Sequence, residues 1–118
     1  MTTTNANTMP VVWIVSLRVG HDTRPASAQA SCAKAVEAVI AAFGRIDVLI
    51  NNAGVLTGGL IGTTDPDGWW RDIEINLRGP FLFVNAVLPG MVSRGHGRII
   101  NVASGAGLQA IETGAAYC

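Results

Sequence analysis

The stretch from 97 to 118, GRIINVASGAGLQAIETGAAYC, contains the residue types most capable of chemistry. Ser104 can donate and accept hydrogen bonds, Tyr117 can transfer a proton, and a Gly-x-Gly-x-x-Ala pattern occupies 105–110. A tyrosine has an ordinary pKa of about 10, so it is a poor base near neutral pH unless a nearby cation favours the phenolate. The stretch is consistent with a phosphate-binding loop, an active site, or the edge of a larger protein.

Three glycine patterns compete for a phosphate-binding role. The pattern at 105–110 follows a predicted strand, but a dinucleotide loop should open a long helix and precede an acid by about 20 residues, and Glu112 comes too soon. TGGLIG at 57–62 lacks the last glycine of a Thr-Gly-x-x-x-Gly-x-Gly loop and follows no strand directly, so we expect a flexible surface loop. NNAG at 51–54 is too short to wrap a pyrophosphate, although its glycine permits close backbone approach and its asparagines could bond neighbouring strands.

The elements that would position these residues alternate between strands and helices. Short runs rich in β-branched residues predict strands at 11–16, 45–50 and 98–103. Apolar spacing predicts a helix over 28–43, and a second helix begins near Asp67 and is interrupted or restarted at Gly79-Pro80. This alternation predicts the α/β class with a parallel sheet, formed by a single domain over 11–118 after a disordered tail at 1–10.

The composition excludes several classes of protein. Hydrophobic residues make up 49% and charged residues 14%, with a formal net charge of zero, so no basic surface suggests nucleic acid or a membrane. MTTTNANTMP does not resemble a signal peptide, and we find no apolar run of about 18 residues. Cys32 and Cys118 show no metal-ligand spacing and no disulfide framework, so we expect no metal site and a cytoplasmic location.

Three motifs in order resemble the short-chain dehydrogenase/reductase family. They are GRIDVLINNAG (44–54), INLRGPF (75–81), and GRIINVASGAG (97–107) followed by Tyr117, and they span about Phe43 to Cys118. The resemblance implies a partial Rossmann-like doubly wound parallel sheet, with about three strands and two to three helices. It also implies an oxidoreductase that uses NAD or NADP and moves a hydride between the nicotinamide and a small alcohol or ketone. A homo-oligomer is implied for the full-length form.

The resemblance also implies roles for individual residues. Asn51, Asn52, Ala53 and Gly54 match the element that steadies the central sheet and contacts the cofactor. Asn76 matches the asparagine that bends its helix and holds a water in the proton relay. Ser104 matches the serine that hydrogen-bonds the substrate oxygen, and Tyr117 matches the general acid/base, which also lies at the cofactor.

The sequence departs from the family pattern in two places. The family's lysine, four residues after the tyrosine, would fall at position 121, and the one lysine among the 118 residues is Lys34, for which a solvated surface role is expected. No Thr-Gly-x-x-x-Gly-x-Gly loop occurs either, so we expect a fragment truncated at both ends. The strand at 11–16 could represent the family's third strand, with Asp22-Thr23 near the adenine.

Three functional hypotheses therefore stay open. The chain is a piece of an NAD(P)-dependent oxidoreductase, a degenerate product unable to catalyse, or a non-catalytic module that associates with a full-length relative. In all three, the 118 residues alone are expected to be inactive. The sequence distinguishes neither the substrate nor NAD from NADP.

Overall fold

The fold consists of a small parallel sheet with helices packed on one face. The computed structural model describes residues 12–15 and 25–117, with side chains from Ala28 onward. In chain order the elements are β1 (Val12–Val15), α1 (Pro25–Phe43), β2 (Val48–Asn51), α2 (Pro66–Ile73), a π-helical turn (Glu74–Arg78), α3 (Gly79–Ser93), β3 (Arg98–Asn101) and a 3₁₀ turn (Gly105–Leu108). The α/β class predicted from the sequence is confirmed. The predicted tail at 1–10 lies outside the described residues.

All three described strands run parallel, in the spatial order β1-β2-β3. Val48 to Asn51 pair in register with Arg98 to Asn101, so the two strands end side by side. The connection from β1 to β2 contains α1, and the connection from β2 to β3 contains α2 and α3, since parallel neighbours need a long crossover. The loops that follow β2 and β3 therefore leave the same edge of the sheet, which is where sites gather in folds of this kind.

The position of β1 disagrees with its interpretation as a third strand. It pairs directly with β2, with Val12 opposite Val48 and Val15 opposite Asn51. In the common doubly wound order 3-2-1-4-5-6, strand 3 lies at the edge and does not touch strand 4, the next along the chain. The pairing instead gives β1 the place of strand 1. Asp22 and Thr23, the residues proposed to lie near the adenine, are outside the described residues.

The hydrophobic core lies between the sheet and the helices α1 and α3. Its buried members are Cys32, Val36, Ile46, Leu49, Leu82, Phe83, Val87 and Met91. Leu49 on the central strand is fully buried, while Ile99 beside it on β3 is partly buried against the same cluster. The predicted helix over 28–43 is confirmed and begins three residues earlier, at Pro25, where a proline fits the first turn.

The long helical segment contains an irregularity whose cause is readable from the sequence. In a regular α-helix the carbonyl of Asn76 would accept from the N–H of residue 80, and Pro80 has none. The chain instead forms a π-helical turn, in which the Gly79 N–H donates to the Glu74 carbonyl. Pro80 then lies in the first turn of α3. The predicted interruption at Gly79-Pro80 is thus a change in winding rather than a break.

The segment Pro66–Ser93 also meets the length and composition of a membrane-spanning helix, a test that the core helix of a soluble protein passes as well. Five of its residues within α3 are buried in this fold, among them Leu82, Phe83 and Val87 in the core. The sequence prediction concerned uninterrupted apolar runs, and this segment is interrupted by polar residues such as Asn76, Arg78 and Asn85.

A charged cluster ties the start of β2 to the turn before β3. Asp47 is 1% exposed and accepts from Arg45 Nε at 2.8 and 3.0 Å. His96 Nε2 lies 3.2 Å from Asp47 Oδ1, and the Asp47 carbonyl accepts from the Arg98 N–H at 2.9 Å. Arg94 also donates to the Ile46 carbonyl at 2.7 Å. These contacts hold β2 and β3 together at the edge opposite the candidate site.

Replacement of Gly97 by alanine should destabilise the fold. An added Cβ would lie 2.5 to 2.7 Å from the Cγ, Sδ and Cβ atoms of Met91, too close even after the sulfur end rotates. Gly97→Ala should therefore lower the free energy of unfolding by about 1–3 kcal/mol, the usual cost of overpacking. Gly62→Ala is the matched control, since a Cβ there meets nothing within 4 Å. Equal urea midpoints for the two variants, followed by circular dichroism, would contradict this packing.

Cys32 should behave as a buried, unreactive thiol. It is 6% exposed, and burial raises its pKa above the ordinary 9.0 while the Arg78 guanidinium acts in the opposite direction. In a Cys118→Ser background, we expect iodoacetamide at pH 8 to alkylate native Cys32 about 100-fold more slowly than the urea-unfolded chain.

The same shift in the Cys32 pKa makes stability depend on pH. Above pH 9.0 the unfolded thiol ionises while the folded thiol stays protonated, so the free energy of unfolding should fall as pH rises through that window. Cys32→Ala should remove this slope. In the alkylation experiment, equal rates of Cys32 modification in the native and the urea-unfolded chain would show that α1 does not pack as described.

Candidate active site

The end of β2 is joined to the end of β3 by an asparagine pair. Asn51 is 5% exposed, and its Nδ2 donates to Asn101 Oδ1 at 2.8 Å. Its main-chain carbonyl accepts from the Val102 N–H at 2.9 Å, which extends the ladder one residue beyond β3. The expectation that the NNAG asparagines bond neighbouring strands therefore holds for Asn51. Its Oδ1 atom is the one buried side-chain acceptor without a partner among the described side chains.

The rest of the NNAG segment lies open at the sheet edge. Asn52 and Gly54 are exposed and Ala53 is half-buried. A Cβ added at Gly54 would touch only Asn76 Oδ1, at an ordinary 3.6 Å, so packing within the described chain does not require glycine here. A ligand that approaches the backbone closely would give the glycine a purpose.

The side chain of Asn76 is hydrogen-bonded to the loop that follows the NNAG segment. Its Oδ1 accepts from the Val55 N–H at 2.8 Å, and its Nδ2 donates to the Val55 carbonyl at 2.8 Å. The side-chain oxygen and the side-chain NH₂ of Asn76 are thus both hydrogen-bonded to the main chain of Val55. Asn76 lies in the π-helical turn, a feature often found at functional sites.

Ser104 follows β3 and caps the 3₁₀ turn. Its Oγ accepts from the Ala106 N–H at 3.2 Å, so the side chain has a structural role in this turn. A hydroxyl that accepts one hydrogen bond still has its own proton to donate. The pattern at 105–110 forms a turn of four residues, Gly105–Leu108, so it does not open the long helix that a dinucleotide loop needs.

Tyr117 ends a turn that is bound to the loop after β2. The Tyr117 N–H donates to the Gly114 carbonyl at 2.8 Å, and the phenol side chain is half-buried. The Gly59 N–H donates to the Thr113 carbonyl at 2.9 Å, and Gly59 forms a parallel bridge with Gly114. Among the described residues, no hydrogen bond joins the side chains of Asn76, Ser104 and Tyr117 to one another. Ser104 lies in the loop after β3, and both Asn76 and the turn of Tyr117 are hydrogen-bonded to the loop after β2.

Sequence reasoning missed Asp72, whose carboxylate is 1% exposed. Its Oδ2 accepts from the Thr57 N–H at 2.8 Å, and its Oδ1 accepts from the Thr57 hydroxyl at 2.6 Å. The segment at 57–62, expected to be a flexible surface loop, is therefore fixed at Thr57 and Gly59. The one available signal was an acid four residues before Asn76 on the same helix.

A small, solvent-open cleft lies between the loop after β2 and the turn before Tyr117. Its lining combines small residues with one aromatic ring, and includes Thr57, Gly58, Gly59, Trp69, Thr113 and Ala116. Trp69 is half-buried and lines this cleft. Trp70 beside it is 57% exposed. The side chains of Asn76, Ser104 and Tyr117 are not among the residues that line the cleft, although its wall includes the turn that precedes Tyr117.

Comparison with known proteins agrees with this geometry. The family model for short chain dehydrogenases matches residues 23–118. The chain belongs to the short-chain dehydrogenase family. The match begins after β1, so β1 lies outside the part of the chain that the family model describes.

Two curated relatives illustrate the range of the family. The chain is 48% identical over 83 residues to trans-4-hydroxycyclohexanecarboxylate dehydrogenase of Sinomonas cyclohexanicum, covering 70% of this chain and 32% of that protein. It is 40% identical over 90 residues to the inactive 2-(S)-hydroxypropyl-CoM dehydrogenase 2 of Xanthobacter autotrophicus, covering 76% and 39%. The matched part of the chain thus spans between 32% and 39% of the length of these relatives.

Solved structures confirm the Rossmann-like fold. A gluconate 5-dehydrogenase from Burkholderia cenocepacia, in complex with NADP and tartrate, superposes with a TM-score of 0.72 at 37% identity. An NAD⁺-bound xylitol dehydrogenase superposes with a TM-score of 0.71 at 34% identity. Each match covers 75% of this chain and 35% of the solved chain.

Loss of the Asn76 side chain should release the loop at Val55. Asn76→Ala removes two hydrogen bonds, so we expect a loss of roughly 1–2 kcal/mol in unfolding free energy and faster exchange of the Val55 amide. Asn85→Ala, at an exposed asparagine on α3, is the control and should change neither. An unchanged Val55 exchange rate in Asn76→Ala would show that this contact does not hold the loop in solution.

Proposed function

We propose that this chain is the catalytic segment of an NAD(P)-dependent oxidoreductase that interconverts a small alcohol and its ketone. The observation that supports this most is the convergence of three features at one sheet edge. They are the NNAG segment with the following residue Val55 hydrogen-bonded to Asn76, the turn capped by Ser104, and the Tyr117 turn bonded to the loop after β2. Membership of the short-chain dehydrogenase family gives these residues a common chemical purpose.

In the proposed reaction the substrate oxygen lies against the Ser104 and Tyr117 hydroxyls. Ser104 donates a hydrogen bond to that oxygen, where negative charge develops as the carbonyl forms or is reduced. Tyr117 removes a proton from the alcohol or returns one to the ketone. Asn76 holds the helix and the loop in the geometry that admits the substrate, and its turn holds a water of the proton relay.

The chain fits one side of a nicotinamide dinucleotide and not the other. The open backbone at Ala53 and Gly54, beside Asn51 and Asn52, leaves room for a cofactor at the sheet edge. When bound, the nicotinamide supplies or accepts the hydride. No glycine-rich pyrophosphate loop of the family type occurs among the 118 residues, so these residues contain no recognisable pyrophosphate site. The choice between NAD and NADP stays open.

A second candidate function is association without catalysis. Leu77, Phe81, Leu88 and Val92 lie on one stripe of the long helical segment and are 44% to 68% exposed. Such a stripe is typical of a helix that packs against another surface. In the full-length form it supports a homo-oligomer, and in the fragment it supports binding to a longer relative. A cytoplasmic location suits all of these functions.

A chimera tests the catalytic proposal. Residues 43–117 replace the matched segment of the Burkholderia gluconate 5-dehydrogenase, whose remaining sequence completes the domain. We expect the chimera to oxidise gluconate, and Tyr117→Phe to lower kcat by about 10²- to 10⁴-fold because the proton-transfer group is lost. Ser104→Ala should lower kcat by about 10²-fold through loss of one hydrogen bond to the developing charge.

Asn85→Ala is the matched control in the chimera and should leave kcat unchanged. The 118-residue chain alone should transfer no hydride to or from any alcohol or ketone, since neither the pyrophosphate loop nor the family lysine is among its residues. Full activity of the Tyr117→Phe chimera would refute the proposed role of the tyrosine. Turnover by the 118 residues alone would refute the expected inactivity.

A further inference from the structure

Asp72 is a buried carboxylate devoted to one residue of a neighbouring loop. Both of its oxygens are occupied by Thr57, one by the main-chain N–H and one by the hydroxyl. Burial of a carboxylate is costly unless hydrogen bonds replace the lost water, and bonds to a charged acceptor are stronger than neutral ones. A contact this costly on a solvent-side loop indicates that the position of Thr57 matters.

Asp72 and Asn76 form two successive contacts between one helix and one loop. They are four residues apart on the helical segment, so they project from the same face. Their partners, Thr57 and Val55, are two residues apart on the loop and also project their main-chain groups to one side. The loop is thus hydrogen-bonded to the helical segment at two residues, Val55 and Thr57, rather than at one.

The fastened loop is in turn bonded to the turn that ends in Tyr117. Two residues after Thr57, Gly59 donates to the Thr113 carbonyl, and the Gly114 carbonyl accepts from the Tyr117 N–H. Gly59 has φ +128°, and a Cβ there would lie 2.7 Å from the Thr64 hydroxyl oxygen. Glycine therefore allows a backbone conformation and an approach that a side chain would prevent.

We propose that Asp72 is a positioning residue that holds the loop 57–59 and, through the bond from Gly59 to Thr113, the turn 114–117 that presents Tyr117. The importance of this coupling for catalysis rests on the proposed function, but the coupling itself does not. The same contacts fix the wall of the cleft beside Trp69. Asp72 acts on the reaction through Tyr117 and does not itself touch the substrate.

Nuclear magnetic resonance on the 118-residue chain tests the coupling directly. The scalar coupling across the hydrogen bond from Gly59 N to the Thr113 carbonyl reports the link, and the Hε protons of Tyr117 give one assignable ring signal because it is the chain's one tyrosine. In Asp72→Ala we expect that coupling to vanish and the Tyr117 signal to shift. The coupling from Val102 N to the Asn51 carbonyl should persist, since it belongs to the sheet.

Two further variants separate positioning from general support of the fold. Asp72→Asn should keep the Gly59 to Thr113 coupling near its original value. Its side-chain oxygen can accept from the Thr57 N–H, and its side-chain NH₂ can donate to the Thr57 hydroxyl oxygen. Asp67→Ala removes an acid from the first turn of the same helix and should change neither signal. An Asp72→Ala chain with both signals at their original values would overturn the proposal.

A variant that fails to fold does not end the test. Should Asp72→Ala lose the sheet coupling as well, Thr57→Val removes only the hydroxyl bond and keeps the size of the side chain. It should weaken the Gly59 to Thr113 coupling and shift Tyr117 while the sheet coupling stays. Unchanged signals in Thr57→Val would then overturn the proposal.

The chimera distinguishes this inference from the proposed function. Asp72→Ala in the chimera should lower kcat and leave KM for the nicotinamide cofactor unchanged, since the hydrogen bonds of Asp72 go to Thr57 and not to the NNAG segment. If Tyr117→Phe left the chimera active, the proposed function would fail while the coupling measured in the 118-residue chain would still stand. A loss of cofactor affinity in Asp72→Ala would count against a positioning role.

Discussion

The parallel, in-register pairing of β2 and β3 is the constraint on which the candidate site depends. Because Asn51 lies opposite Asn101, the two strands end together and their loops leave the sheet side by side. The side-chain bond between these asparagines and the main-chain bond from Val102 continue the pairing to the last residue. A slip of one residue would turn Leu49 out of the core and separate Ser104 from the NNAG segment.

The helical segment after β2 converts this sheet edge into a pocket. Its π-helical turn follows from a proline that cannot supply the N–H that Asn76 would otherwise receive. Asn76 and Asp72 then face the loop and hold it at Val55 and Thr57. The core on the other side of the segment, through Leu82 and Val87, keeps the helix at a fixed distance from the sheet.

Much of the fold could be predicted because it depends on local pattern. Strands of a parallel sheet are continuous apolar runs, and the strands at 48–51 and 98–101 overlap the predicted ranges, although the strand at 98–101 is mostly exposed in the described chain. The motif residues Asn76, Ser104 and Tyr117 could be named by resemblance alone. The partner of β1 could not be predicted, since four apolar residues do not specify a neighbour in a sheet.

The contacts that organise the site were invisible for a different reason. The bonds from Thr57 to Asp72 and from Gly59 to Thr113 join residues far apart in the chain and leave no periodic trace. Asp72 resembles any other acid on a polar helix, and its burial follows only from how the loop folds over it. Charged residues make up only 14% of the sequence, and this composition gave no indication that the Asp72 carboxylate would be buried.

The proline after the π-helical turn has a consequence for the energetics of any reaction at this edge. A turn imposed by a missing N–H is fixed by covalent structure, so it does not have to be created when a ligand arrives. The amide of Asn76 is therefore aimed before binding, and little reorganisation energy is spent there during turnover. A site preset in this way loses rate when its frame is loosened, even if every reacting group is still present.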